Sequence, residues 1–172
     1  LFGDGAGAVV VSAAEEGKTK SGIISSYLRS DGSGAEYLKR NSGGTARPFS
    51  EGNTDYKDSY LFMNGRQVYN FAITACSSTI IHLLKNNNLH INEIKYIAPH
   101  QANIRIIEGV SKRTGIPMEK FYMNIEKFAN TSAASIPIAL GEADERGLLQ
   151  RGDNIITVGF GGGLTYGGNY IK

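Results

Sequence analysis

Lys95-Tyr96-Ile97-Ala98-Pro99-His100-Gln101-Ala102-Asn103-Ile104-Arg105 takes the chain from one periodicity into another. Tyr96 and Ile97 belong to a short apolar run that fits a strand over 95–98. Pro99 and His100 end that run. Asn103 is a capping residue by type, and helical spacing then continues to Thr114, where Gly115 and Pro117 stop it. A strand passing through a short loop into a helix is the repeating unit of α/β folds.

The same alternation extends outward in both directions. Upstream, Val68, Phe71, Ala72, Ala75, Cys76, Thr79, Ile80, Leu83 and Leu84 recur at three- and four-residue spacing, which predicts a helix over 63–85 ended by Asn86, Asn87 and Asn88. Ile23, Ile24, Tyr27 and Leu28 predict a strand over 22–30. An apolar run over 8–12 predicts an earlier one, with a polar turn over 15–20 between them. The polar, Gly-rich segment from Asp31 to Ser59, containing Pro48, reads as a long surface loop. Downstream, a short strand is expected over 120–125 and a helix over 132–146, with Pro137 tolerated in its first turn and Gly147 as its stop. Strands over 154–160 and 164–171 follow. After the first strand the order is βαβαβαββ. That order predicts a largely parallel but mixed five-stranded sheet covered by helices, with an antiparallel closing pair.

Composition narrows the function classes. The 172 residues carry 18 Lys+Arg against 16 Asp+Glu, a net charge of +2. That balance argues against nucleic acid or a membrane surface as a partner. No apolar run approaches the ~18 residues of a membrane-spanning candidate. The single cysteine, Cys76, permits no internal disulfide and no Cys/His metal cluster, so a cytoplasmic protein without a metal site is expected. Cys76 shares a helix face with Ala72 and Ile80 and reads as a small core residue.

Two glycine turns match. Phe2-Gly3-Asp4-Gly5 and Phe160-Gly161-Gly162-Gly163 each precede an apolar strand pattern. The chain also opens at Leu1, without Met, inside the first turn. Together these suggest a duplicated architecture, with residues 1–20 as the last strand of an amino-terminal half and 21–172 as the carboxyl-terminal subdomain. The turn over 3–8 lacks the G-x-G-x-x-G order and leads into a strand pattern, which argues against a nucleotide site.

Chemistry is expected where strands give way to helices. His100 follows one predicted strand and Asn130 another, so both fall at carboxyl ends of strands, where ligands collect in parallel sheets. A neutral imidazole and a carboxamide can each donate one hydrogen bond to a single oxygen. Such a pair would stabilise an enolate on a thioester carbonyl. The positive end of the helix after His100 disfavours imidazolium and keeps the donor neutral. By position alone, a loop histidine is more often a surface or packing residue.

The local sequences are more specific. Pro99-His100-Gln101-Ala102-Asn103-Ile104-Arg105, Asn130-Thr131-Ser132-Ala133-Ala134-Ser135, Gly3-Asp4-Gly5-Ala6-Gly7-Ala8 and Phe160-Gly161-Gly162-Gly163 resemble motifs of the β-ketoacyl-acyl-carrier-protein synthase III family. They fall in the family's order and span nearly the whole chain. The resemblance implies the carboxyl-terminal half of a thiolase-like fold. It also implies an acyltransferase that starts fatty-acid synthesis by decarboxylating Claisen condensation of acyl-CoA with malonyl-acyl-carrier-protein.

Further expectations follow from the resemblance alone. His100 and Asn130 would hold the malonyl thioester oxygen. The Gly162 N–H would serve an oxyanion hole, with Phe160 beside the reacting centre. Gly65 and Asn103 would line the CoA and pantetheine channel. Arg105, Lys112 and Arg113 would meet the acidic carrier protein, although Asn70 stands where the family has another basic residue, with Arg66 one turn earlier as its candidate replacement. No cofactor is implied. Acyl carrier protein, acyl-CoA, an amino-terminal half and a homodimeric partner are. The nucleophilic cysteine of the family belongs to that other half, so the chain alone is expected to be inactive. A related condensing enzyme of secondary metabolism, and a module that only binds carrier protein or CoA, remain as alternatives.

Overall fold

The computed structural model describes residues 2–13, 21–50 and 55–172. Their main sheet has four strands: β1 (Ile23–Ser30), β4 (Ile94–Pro99), β5 (Asn154–Gly161) and β6 (Thr165–Ile171), in the order β1-β6-β5-β4. A separate ribbon pairs β2 (Leu38–Arg40) with β3 (Leu61–Met63).

The apolar stripe read from the sequence becomes α1 (Gly65–Asn86). The Asn64 side chain caps it by accepting the Gln67 N–H at 3.3 Å. Val68, Ala72, Ala75, Cys76, Thr79, Ile80 and Leu83 are buried along one face, which lies on β1, β5 and β6. Close approach there depends on Gly168 of β6, where a Cβ would stand 2.1 Å from the Thr157 carbonyl oxygen and 2.9 Å from Thr79 Cγ2. Ile94, Ile97, Ile156 and Val158 complete the core from the sheet side. Each such fully buried aliphatic side chain contributes about 1.5–3 kcal/mol relative to exposure, as an upper estimate.

Helix α2 (Ile104–Thr114) packs beside α1 through Ile106, Ile107 and Val110. Asn103 caps it by accepting the Arg105 N–H at 2.9 Å, and Gly115 ends it at φ +72°, as the sequence predicted. The short helix α3 (Ile125–Phe128) and helix α4 (Ser135–Glu145) complete the crossover from β4 to β5. Helix α4 lies against β4, opposite the face that carries α1. Ala139 and Ala143 pack there with Tyr122 and Tyr96.

Four expectations change. First, the run over 8–12 forms no strand; Val9, Val10 and Val11 are exposed and pair with no strand among the described residues. The turn expected over 15–20 lies outside the described residues, as does the expected boundary at residue 20. Second, the fifth strand, expected over 120–125, shrinks to one bridge between Phe121 and Ile97. The Met118–Lys120 turn before it and α3 after it leave no extended length for a ladder. Third, the segment over 31–59 is not all loop, because it contains the Gly32–Tyr37 3-10 turn and β2, which returns to pair with β3. Fourth, among the described strands only β4 and β5 form a parallel ladder. The αβ alternation does make β1, β4 and β5 co-directional, but β6 inserts between β1 and β5 and pairs antiparallel with both.

Candidate active site

The carboxyl ends of β4 and β5 open into a cavity of about 600 Å³. That volume suits a small-molecule or cofactor-arm site. His100, Asn130, Gly162, Gly65 and Asn103 all line it, together with Phe160 and Ser135. Apolar walls come from Leu38, Leu61, Met63, Val68, Ile106 and Ile136, and Phe2 closes one side. No Asp, Glu, Lys or Arg contributes to the described lining.

His100 sits just past β4. Its backbone N–H donates to the Val158 carbonyl at 2.8 Å, which ties the loop to β5. Its Nδ1 lies 2.7 Å from Ser135 Oγ at the start of α4, and its ring meets the edge of Phe160 with centroids 5.3 Å apart. Burial pushes its pKa below the ordinary imidazole value. The imidazole is therefore neutral near pH 7, and Nε2 is the nitrogen left for the cavity.

Asn130 is presented by an unusual backbone. Ala129 and Ser132 on either side hold φ values of +58° and +53°, a conformation costly for non-glycine residues. The Gly3 N–H offsets part of that cost by donating to the Asn130 carbonyl at 2.9 Å. The Asn130 side-chain oxygen accepts the Ser132 N–H at 3.0 Å. That bond assigns the amide orientation and leaves the NH2 group as a donor. Asn103 follows the same logic. Its oxygen is occupied by the helix cap, so its NH2 is the group available to a ligand.

The glycines differ in what they do. A Cβ at Gly65 would meet nothing within 4 Å, so a glycine there keeps the cavity open rather than relieving a clash. A Cβ at Gly162 would lie 3.3 Å from the Leu38 carbonyl oxygen, so the turn after β5 sits close against β2.

Arg105, Lys112 and Arg113 are outside the cavity, exposed on α2. Arg113 reaches α1 with a 3.3 Å bond to Thr74 Oγ1. Asn70 and Arg66 are exposed on α1. Cys76 is buried in the core, and desolvation pushes its thiol up to about 12, which leaves no thiolate for chemistry.

Two contributors escaped the sequence reading. Ser135 was visible only as the end of a motif, and nothing in its spacing announced a contact with His100. Gln101, 1% exposed, donates through Nε2 to the carbonyls of Pro99 at 3.0 Å and Tyr122 at 3.1 Å. Its Oε1 accepts the Asn124 N–H at 3.3 Å. It ties the His100 loop to the segment that leads into Asn130.

A mixed α/β sheet with neutral donors gathered in an uncharged cavity at its strand ends is the arrangement this chain shares with the thiolase-like condensing enzymes on which it superposes. The crystal structure of β-ketoacyl-[acyl carrier protein] synthase III from Thermus thermophilus superposes with a TM-score of 0.79 at 35% identity, over 94% of this chain and 48% of that one. The priming β-ketosynthase of the R1128 polyketide pathway superposes with a TM-score of 0.76 at 28% identity, over 87% of this chain and 44% of that one. The model of the family described as 3-oxoacyl-[acyl-carrier-protein] synthase III C terminal matches residues 84–172, and the chain belongs to that family. The β-ketoacyl-[acyl-carrier-protein] synthase III of Clostridium tetani is 46% identical over all of this chain and 52% of its own length. The chain thus spans about half the length of the curated relatives it matches.

Proposed function

We propose that the chain is the carboxyl-terminal part of a cytoplasmic 3-oxoacyl-acyl-carrier-protein synthase III. It condenses acyl-CoA with malonyl-acyl-carrier-protein with loss of CO2. The observation that carries this reading is the opening of His100 and Asn130 into one uncharged cavity, each with its other polar atom occupied. Two neutral donors aimed at a thioester oxygen stabilise the enolate left when CO2 departs. No base is needed to form that carbanion, which suits a cavity lined by no carboxylate or amine among the described residues.

The remaining roles fit around that step. The Gly162 N–H serves the oxyanion of acyl transfer. Gly65 and Asn103 border the pantetheine arm. Arg105, Lys112 and Arg113 receive the acidic carrier protein, with Arg suited to phosphate geometry. The nucleophilic cysteine comes from the amino-terminal half, and the whole enzyme works as a homodimer.

Co-expression with a cysteine-bearing amino-terminal half tests the reading. Condensing activity is expected from the pair and not from this chain alone. In the pair, His100→Ala or Asn130→Ala should lower malonyl-thioester decarboxylation by about 10²–10³-fold, the cost of losing one such donor. Cysteine acylation should continue. Unchanged decarboxylation in both variants would defeat the proposal.

The likeness to the R1128 priming β-ketosynthase favours one second reading, a starter condensation in a polyketide route. Product analysis of the reconstituted enzyme separates the two.

A further inference from the structure

The proposed role of His100 depends on which ring nitrogen carries the proton, and the surroundings of Ser135 bear on that question. Ser135 is 2% exposed, so its hydroxyl hydrogen cannot rely on bulk water. Its Oγ already accepts the Gln101 N–H at 3.3 Å. The only acceptor in reach of its O–H among the described residues is His100 Nδ1, at 2.7 Å. A ring protonated at Nδ1 would aim a second donor at Oγ and strand the hydroxyl hydrogen in a buried site. A ring protonated at Nε2 satisfies every group.

We infer that Ser135 is a positioning residue that donates its hydroxyl hydrogen to His100 Nδ1 and thereby holds the neutral imidazole in the Nε2–H tautomer. Nε2–H is the form that can donate into the cavity; the other tautomer would present a lone pair to the substrate oxygen. Ser135 is the first residue of α4, whose positive end further disfavours imidazolium. Burial of the ring acts in the same direction. The edge-on Phe160 ring fixes the plane of the imidazole but cannot choose between its nitrogens. The Gln101 N–H acts through Ser135 by occupying a lone pair of Oγ, which turns the hydroxyl hydrogen toward the ring.

This inference rests on the decarboxylating role proposed for His100, and its test separates the two. Ring-¹⁵N-histidine labelling gives one pair of signals for each of the three histidines, and the His100→Ala spectrum identifies those of His100. The wild-type protein should show His100 in the Nε2–H form near neutral pH. Ser135→Ala should shift signal toward the Nδ1–H form, and Ser135→Thr should restore it. In the pair with the amino-terminal half, Ser135→Ala should lower kcat for malonyl-thioester decarboxylation about 10-fold or more with little change in KM, while a full donor loss costs 10²–10³-fold.

A wild-type spectrum of the Nδ1–H form overturns the inference without any variant. So does a Ser135→Ala protein that keeps both the Nε2–H form and the wild-type rate. If His100→Ala itself decarboxylates normally, the functional reading fails instead, whatever tautomer the spectrum shows.

Discussion

Replacing Gln101 probes the link between the two halves of the candidate site. Its side chain is fully buried and satisfies three backbone groups: the Pro99 and Tyr122 carbonyls and the Asn124 N–H. Each of these hydrogen bonds is worth about 0.5–1.5 kcal/mol net, and a group left without a partner costs more. Gln101→Ala also removes one buried methylene, at about 0.8 kcal/mol, along with the carboxamide. Water can enter the vacated polar space and recover part of the loss. The expected destabilisation is about 2–4 kcal/mol, a large fraction of the stability of a typical domain. Gln101→Met keeps the volume and removes only the polar partners, so it should lose about 1.5–4 kcal/mol through hydrogen bonding alone. Denaturant unfolding monitored by circular dichroism measures both. A Gln101→Met protein as stable as wild type would refute the reasoning, because it would mean that the three backbone groups do not need this side chain.

Three further outcomes are expected. Iodoacetamide should leave Cys76 unmodified in the native protein and label it only on unfolding, since burial holds its pKa near 12; rapid native labelling would contradict the packing. Stability should fall as pH drops below about 6.5, the unfolded imidazole value, because His100 has a lowered folded pKa and the unfolded state takes up its proton first. Thermal unfolding from pH 5 to 8 should show that slope, and His100→Gln should flatten it. Replacing Arg105, Lys112 and Arg113 together by Ala should weaken carrier-protein binding and reduce its salt dependence without altering the circular dichroism spectrum, as measured by titration calorimetry.

Several parts of the fold were legible because their causes are local. The stripe from Val68 to Leu83 needs only helical spacing, and the α2 boundaries need only an Asn cap and a left-handed Gly. Failures came where pairing partners decided the outcome. The runs over 8–12 and 120–125 have strand-like composition, yet among the described residues the first pairs with no strand and the second keeps one bridge. A strand is a property of two segments, and sequence shows one at a time.

The same division holds at the site. By itself the sequence determined which residue types could do the chemistry, the His100 and Asn130 motifs and the glycine turn at 160–163, and it assigned Cys76 to the core rather than to the chemistry. Only the tertiary structure decided that β6 inserts between β1 and β5, that His100 and Asn130 open into one cavity, and that Ser135 and Gln101 stand behind them. The physical reason is range. Spacing and capping act within a few residues, whereas Ser135 lies 35 residues from His100 and Tyr122 lies 21 from Gln101. Contacts at that separation exist only once the chain has closed its sheet and packed α4 against β4.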